Sequence, residues 1–194
     1  IWVTNFEDNT VSKLLASNGS VAGTYSTVSQ PRKILFDGSH IWISALGFGL
    51  AKIRPSDGST VSITQSFSPG PNHLVFDGSS LWATVGRTSL ETFSTSDGTS
   101  VALHEYPWGG SVIDAVFVDP YIWVSDFDNG DYLTAGVVRV ISPQDGRVVM
   151  TYSPDDPYLN SFALVFDGTY VWVSVFPEWG DYGYRLVRLP VPTG

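Results

Sequence analysis

A chain of 194 residues that is 43% apolar can bury a substantial core, and it has no run of about 18 apolar residues that would make a membrane-spanning helix. The absence of cysteine excludes disulfides, thiol catalysis and cysteinyl zinc sites. The net charge of −9 is uneven: residues 1–104 carry seven acidic and six basic side chains (−1), and residues 105–194 carry twelve and four (−8), a balance that repels phosphate backbones and argues against nucleic acid as a partner.

In chain order, one pattern recurs. Ile1-Trp2-Val3-Thr4 is the back half of a unit stated in full by Phe36-Asp37-Gly38-Ser39-His40-Ile41-Trp42-Ile43-Ser44. Phe76-Asp77-Gly78-Ser79-Ser80-Leu81-Trp82-Ala83 repeats it, as does Phe166-Asp167-Gly168-Thr169-Tyr170-Val171-Trp172-Val173-Ser174. Val118-Asp119-Pro120-Tyr121-Ile122-Trp123-Val124-Ser125 is a copy one residue shorter, with Pro for Gly. A second marker keeps the same period: Ser17-Asn18-Gly19, Ser56-Asp57-Gly58, Ser96-Asp97-Gly98 and Gln144-Asp145-Gly146. Two markers in one phase of about 40 residues establish an internal repeat.

Each copy reads as a hairpin. An apolar run ends at Asp-Gly, where Gly supplies the positive φ of the turn and the Asp carboxylate accepts a nearby backbone N–H. A β-branched run centred on Trp follows. In the second unit four strands are expected near 33–36, 41–45, 50–54 and 61–66. Four antiparallel strands per 40 residues, repeated, predict an all-β β-propeller of four-stranded blades, with units near 1–30, 31–70, 71–111, 112–160 and 161–194. A β-sandwich leaves the in-phase Trp unexplained, and a β-helix coil needs only about 20–25 residues. The first unit has strands two to four and the last has strands one to three. Ile1 falls inside a unit, so a mature or excised segment of a longer chain is expected, and the two partial units leave two arrangements: a five-bladed ring with two thinned blades, or part of a larger ring.

Pro31…Phe36-Asp37-Gly38…Ile41-Trp42 and Trp2-Val3-Thr4-Asn5…Asn9-Thr10-Val11-Ser12-Lys13-Leu14 resemble the YVTN, NHL and streptogramin-lyase class of propeller repeats. The resemblance covers essentially the whole chain and implies the propeller fold. It implies several functions, because such repeats serve lyases, lactonase-like enzymes, surface proteins and scaffolds. The GH…WD signature of WD40 blades is absent. The His, acid and metal constellation of streptogramin lyases has no match here, and no G-x-S-x-G elbow occurs.

In this strand order the Asp-Gly turns emerge at one face, and the loops between second and third strands and the links between units at the other. The variable loops carry the candidate ligand-binding residues Trp108, Asp126, Asp128, Tyr132, Tyr158, Glu178, Trp179 and Tyr182. Aromatics beside carboxylates suit a protein or carbohydrate partner; alternatively they cover their own blades. Asp126, Asp128 and Asp131 surround Gly130 and offer oxygen ligands for Ca²⁺, although the order is not that of an EF-hand; as a plain hairpin tip the same residues favour a turn. His40 is read as a turn residue, His104 as peripheral, and His73 as the histidine best placed for a channel mouth. The functional expectation is a non-catalytic binding module, extracellular or at a prokaryotic cell surface, with no required cofactor. The alternatives are a metal-dependent propeller enzyme and an assembly protein that self-associates through incomplete terminal units.

Overall fold

The computed structural model describes residues 1–45, 49–64, 71–107, 111–127, 136–153, 159–177 and 184–192. Among them are strands but no helix, arranged as five antiparallel sheets in which each strand pairs with its neighbour in sequence. The first sheet is β1 (Trp2–Asn5), β2 (Thr10–Leu14) and β3 (Val21–Ser26). The second is β4 (Pro31–Phe36), β5 (Ile41–Ala45), β6 (Gly49–Ile53) and β7 (Thr60–Thr64), within two residues of the expected bounds at every end. The third is β8 (Leu74–Phe76), β9 (Leu81–Val85), β10 (Ser89–Phe93) and β11 (Ser100–Glu105). The fourth is β12 (Ser111–Val118), β13 (Tyr121–Phe127), β14 (Val138–Ile141) and β15 (Val148–Tyr152), and the fifth is β16 (Leu159–Phe166), β17 (Tyr170–Pro177) and β18 (Arg185–Pro190). The sheets fall into two compact units, Ile1–Gly86 with Leu90–Leu103, and Arg87–Ser89 with His104–Gly194.

Within each unit the motif Trp packs forward onto the next sheet. In the first unit Trp42 is fully buried with Leu50 of its own sheet and with Leu81, Ala83 and Phe93 of the third. Trp2 packs against a cluster that holds Val11 of its own sheet and Ile41 and Ile43 of the second. In the second unit Trp123 sits with Val138 and Val140 and, from the fifth sheet, Val171, Val173 and Val175. Burying about 200 Å² of indole at about 25 cal/mol/Å² contributes roughly 5 kcal/mol gross per tryptophan. The residues that receive it are those flanking the next Trp in sequence.

Polar bonds run in the same direction. Lys13, opposite Trp2, lies 5.6 Å from its ring, and its Nζ donates to the carbonyl of Pro55 at 2.8 Å. Lys52, opposite Trp42, lies 5.3 Å from that ring and donates to the carbonyls of Thr95 (2.6 Å) and Ser96 (2.9 Å). A hydroxyl two residues after each Trp does the rest. Thr4 donates to Arg32 O at 2.9 Å, Ser44 to Asn72 O at 3.4 Å and Ser125 to Phe162 O at 2.8 Å. Ser44, Thr84 and Ser174 also accept the N–H of Lys33, His73 and Ala163. Lys33 and Ala163 lie in bulges of β4 and β16, where the ladder leaves an N–H unpaired.

The second marker has a packing reason as well as a conformational one. Gly58 has φ +72°, and a Cβ there would overlap the ring of Tyr25 from the preceding sheet. Gly146, φ +71°, stands in the same relation to His104, so this histidine is a packing group over a turn. Gly38, by contrast, has φ +94° and open space where a Cβ would go. Gly38→Ala should therefore cost only the left-handed backbone penalty, about 1–2 kcal/mol. Gly58→Ala should cost about 1–3 kcal/mol more, because Tyr25 must also move. Urea midpoints of the two variants check this; equal losses would contradict the packing role of Tyr25.

Candidate binding loops

The carboxylates of the repeat are consumed by its own turns. Asp37 Oδ1 accepts the N–H groups of Ser39 (2.8 Å) and His40 (2.7 Å), and its Oδ2 accepts the indole N–H of Trp42 at 2.6 Å. Asp77 holds Ser79, Ser80 and Trp82 in the same way, with the indole at 2.7 Å. Asp167 holds Thr169, Tyr170 and Trp172, with the indole at 2.6 Å. Burial pushes the carboxyls of Asp37 and Asp77 up, but these hydrogen bonds outweigh it and leave both below the usual range. The Trp172 indole and the two backbone N–H groups lower that of Asp167.

The fourth copy departs. Asp119 stands four residues before its Trp rather than five, and the buried Nε1 of Trp123 has no hydrogen-bond partner among the described residues. That ring is instead stacked on Tyr152, with centroids 5.4 Å apart and planes 12° apart.

Asp57, Asp97 and Asp145 cap the second turn of their units, accepting the N–H groups of Ser59, Thr99 and Arg147. Glu91 accepts the hydroxyl of Ser100. His40 Nδ1 lies 2.9 Å from Ser39 Oγ, and the His73 N–H is tied to Thr84. Among the described residues no three His, Asp or Glu side chains converge as metal ligands.

Of the candidate residues, Asp126 is described. It is 4% exposed at the end of β13. Its Oδ1 accepts the Val137 N–H at 2.8 Å, its own N–H donates to Val137 O at 3.0 Å, and its Oδ2 is paired with Arg139. Burial lowers Arg139 to about 10, still charged at neutral pH. Asp126 thus clamps the base of the hairpin, with both oxygens engaged by protein. Trp108, Asp128, Asp131, Tyr132, Tyr158, Glu178, Trp179 and Tyr182 lie outside the described residues.

Topology nonetheless places their flanks. In the fourth sheet the end of β13 lies beside the start of β14, and that start beside the end of β15, with Ser125 opposite Val138 and Val138 opposite Tyr152; in the fifth the end of β17 lies beside the starts of β16 and β18, with Leu159 opposite Pro177 and Val175 opposite Arg185. β12 also begins there, with Ser111 opposite Phe127. The flanks of these variable connections therefore lie at one end of the fourth sheet and at one end of the fifth, the connection that holds Trp108 arriving from β11 of the third.

Sequence reading missed the hydroxyl after each Trp and the forward-reaching lysines. The first had a visible signal, Ser or Thr at 4, 44, 84, 125 and 174 in every unit. The lysines occur in two units only, and their acceptors are backbone carbonyls, which leave no trace in sequence.

No protein-family model matches the chain, and no curated protein matches it. Solved structures do. The crystal structure of BamB from Moraxella catarrhalis superposes with a TM-score of 0.65 at 14% identity, over 86% of this chain and 50% of that one. The chain thus spans half the length of that protein. At this identity the likeness is one of fold, and with the five sheets it makes the chain a β-propeller protein.

Two outcomes follow from the bonding. The folded-state carboxyls of Asp37 and Asp77 lie below their unfolded value of about 3.9, so they contribute stability above that pH and lose it as pH falls through the lower folded value. Urea midpoints should change little with these groups from pH 7 to 5 and drop below about pH 4, and Asp37→Asn/Asp77→Asn should be less stable at pH 7 with a shallower acid loss. Asp126→Ala removes the acceptor of the Val137 N–H and one partner of Arg139, and should cost about 1–3 kcal/mol. A double-mutant cycle with Arg139→Met should show that the two losses are not additive.

Proposed function

We propose that the chain is a non-catalytic propeller module that binds a protein or glycan through the loop end of its fourth and fifth sheets, outside the cell or at its surface. The observation that carries this reading is a division of labour. The carboxylates, tryptophans, hydroxyls and lysines of the repeat are spent holding turn to strand and sheet to sheet. The connections that vary, and that hold Trp108, Tyr132, Tyr158, Glu178, Trp179 and Tyr182, are those that lead into, within and between the fourth and fifth sheets. Flat aromatic surface with carboxylates beside it combines apolar contact with polar partners, and the charge of −8 after residue 104 favours a basic protein surface or a neutral glycan.

The test is a screen of the labelled chain against a glycan array and a displayed peptide library, repeated with Trp179→Ala/Tyr182→Ala. A ligand held by the natural sequence and weakened at least about tenfold by the variant, with an unchanged melting temperature, is expected. Equal binding by both would overturn the placement. Retention of a divalent ion, lost together with a hydrolytic or lyase activity on mutation of His73, would favour a metal-dependent enzyme instead. With Asp126 engaged by Arg139, calcium at the neighbouring loop rests on Asp128 and Asp131. Calorimetric titration with calcium chloride should then show binding no tighter than roughly 10⁻⁴ M.

A further inference from the structure

The turns that join β2 to β3, β6 to β7, β10 to β11 and β14 to β15 are built alike. In the first, Leu15 N–H donates to Ser20 O at 2.9 Å and Gly19 N–H to Leu15 O at 2.8 Å, and the turns at Arg54, Ser94 and Ser142 close with the same two bonds. Each has a left-handed glycine, Gly19, Gly58, Gly98 or Gly146, with φ from +71° to +79°. The residue before that glycine caps the turn. Asn18 Oδ1 accepts the Ser20 N–H at 2.9 Å, as Asp57, Asp97 and Asp145 accept those of Ser59, Thr99 and Arg147. Asp57 and Asp97 also take the hydroxyls of Ser59 (2.7 Å) and Thr99 (2.8 Å). The backbone N–H, followed by the side-chain donors, holds the three aspartate carboxyls below their usual range. The turn therefore favours a carboxylate, and in the first copy an amide stands in its place.

That amide is open to solvent and is followed by glycine. In the same compact unit Asn5, Asn9 and Asn72 precede Phe, Thr and His, whose side chains crowd the nitrogen that follows the asparagine. The exposure of Asn18 is a property of its place in the turn. The ring of Tyr25 lies over Gly58 and that of His104 over Gly146, yet Asp57 and Asp145 remain exposed. A sheet laid over the glycine leaves the residue before it in water.

We propose that Asn18 is a site of spontaneous conversion to aspartate through a cyclic imide with Gly19, which gives the first turn the carboxylate that its three counterparts hold. The Gly19 backbone nitrogen loses its proton and bonds to Asn18 Cγ, and the side-chain amide nitrogen leaves as ammonia. Water then adds to one of the two imide carbonyls and opens the ring, to aspartate or to isoaspartate. Because the Gly19 N–H is held by Leu15 O, the attack waits on local opening of the turn. The aspartate product recloses with the capping bonds seen at Asp57 and Asp97. In the isoaspartate product the backbone runs through the side-chain carbon and is one atom longer, which breaks the spacing of the Leu15–Ser20 and Leu15–Gly19 bonds. This reaction is independent of the binding loops.

The test incubates the 194-residue chain in warm, mildly alkaline buffer beside a synthetic peptide of residues 14–32, which is also a tryptic segment and holds Asn18 as its one asparagine. Mass spectrometry should show the amide-to-acid mass gain in that segment, about tenfold slower in the folded chain than in the free peptide because the turn must open first. Asn18→Gln should abolish it. After chromatographic separation the aspartate product should match Asn18→Asp and melt no lower than the natural chain at neutral pH, and the isoaspartate product should melt lower. A folded chain that gains no acid in this segment while the free peptide converts fully overturns the proposal. Asn18→Asp melting below the natural chain at neutral pH overturns the claim that the turn takes the carboxylate.

Discussion

Everything in this structure depends on an indole that is buried against a neighbouring sheet without leaving its N–H unsatisfied. A fully buried Trp brings large apolar area but also a donor, and an unpaired buried donor costs about 1–3 kcal/mol. The repeat meets this with an Asp five residues earlier, whose one oxygen caps the Asp-Gly turn and whose other oxygen takes the indole. Turn geometry, strand register and inter-sheet packing are thereby tied to one carboxylate. A slip of one residue in the hairpin would break all of them together, which is why the motif specifies its register so strongly.

The fourth copy shows how much of that arrangement is dispensable. Its shorter turn separates Asp119 from Trp123 and leaves the indole N–H without a partner among the described residues, yet the ring is buried as deeply as those of Trp42 and Trp82. The stacked Tyr152 and the Val171, Val173 and Val175 surface keep the ring in apolar contact on its own. Apolar burial holds the indole in place, and the hydrogen bond refines its position.

The packing also has a direction. Trp, lysine and hydroxyl all reach from one sheet to the following one, so a sheet has a face that gives and a face that receives. Stability in such an array is close to a sum over contacts between nearest neighbours, and residues absorbed in those contacts are unavailable for chemistry. Asp126 illustrates the point. Its place in an acidic loop made it a plausible calcium ligand, but its burial and its Arg139 partner make it part of the hairpin.

The period, the turns and the strands were legible in the residues alone, as β4–β7 show by agreeing with their expected bounds. These features rest on interactions within about six residues: a Gly that must take positive φ, an Asp that caps its own turn, and alternation that sorts faces. Which partner each side chain meets was settled by the stacking of the sheets. Lys52 reaches carbonyls 43 and 44 residues away, Ser125 a carbonyl 37 away, and His104 a glycine turn in the following sheet. Those acceptors are backbone atoms one repeat distant, and they come within reach only when the sheets are stacked.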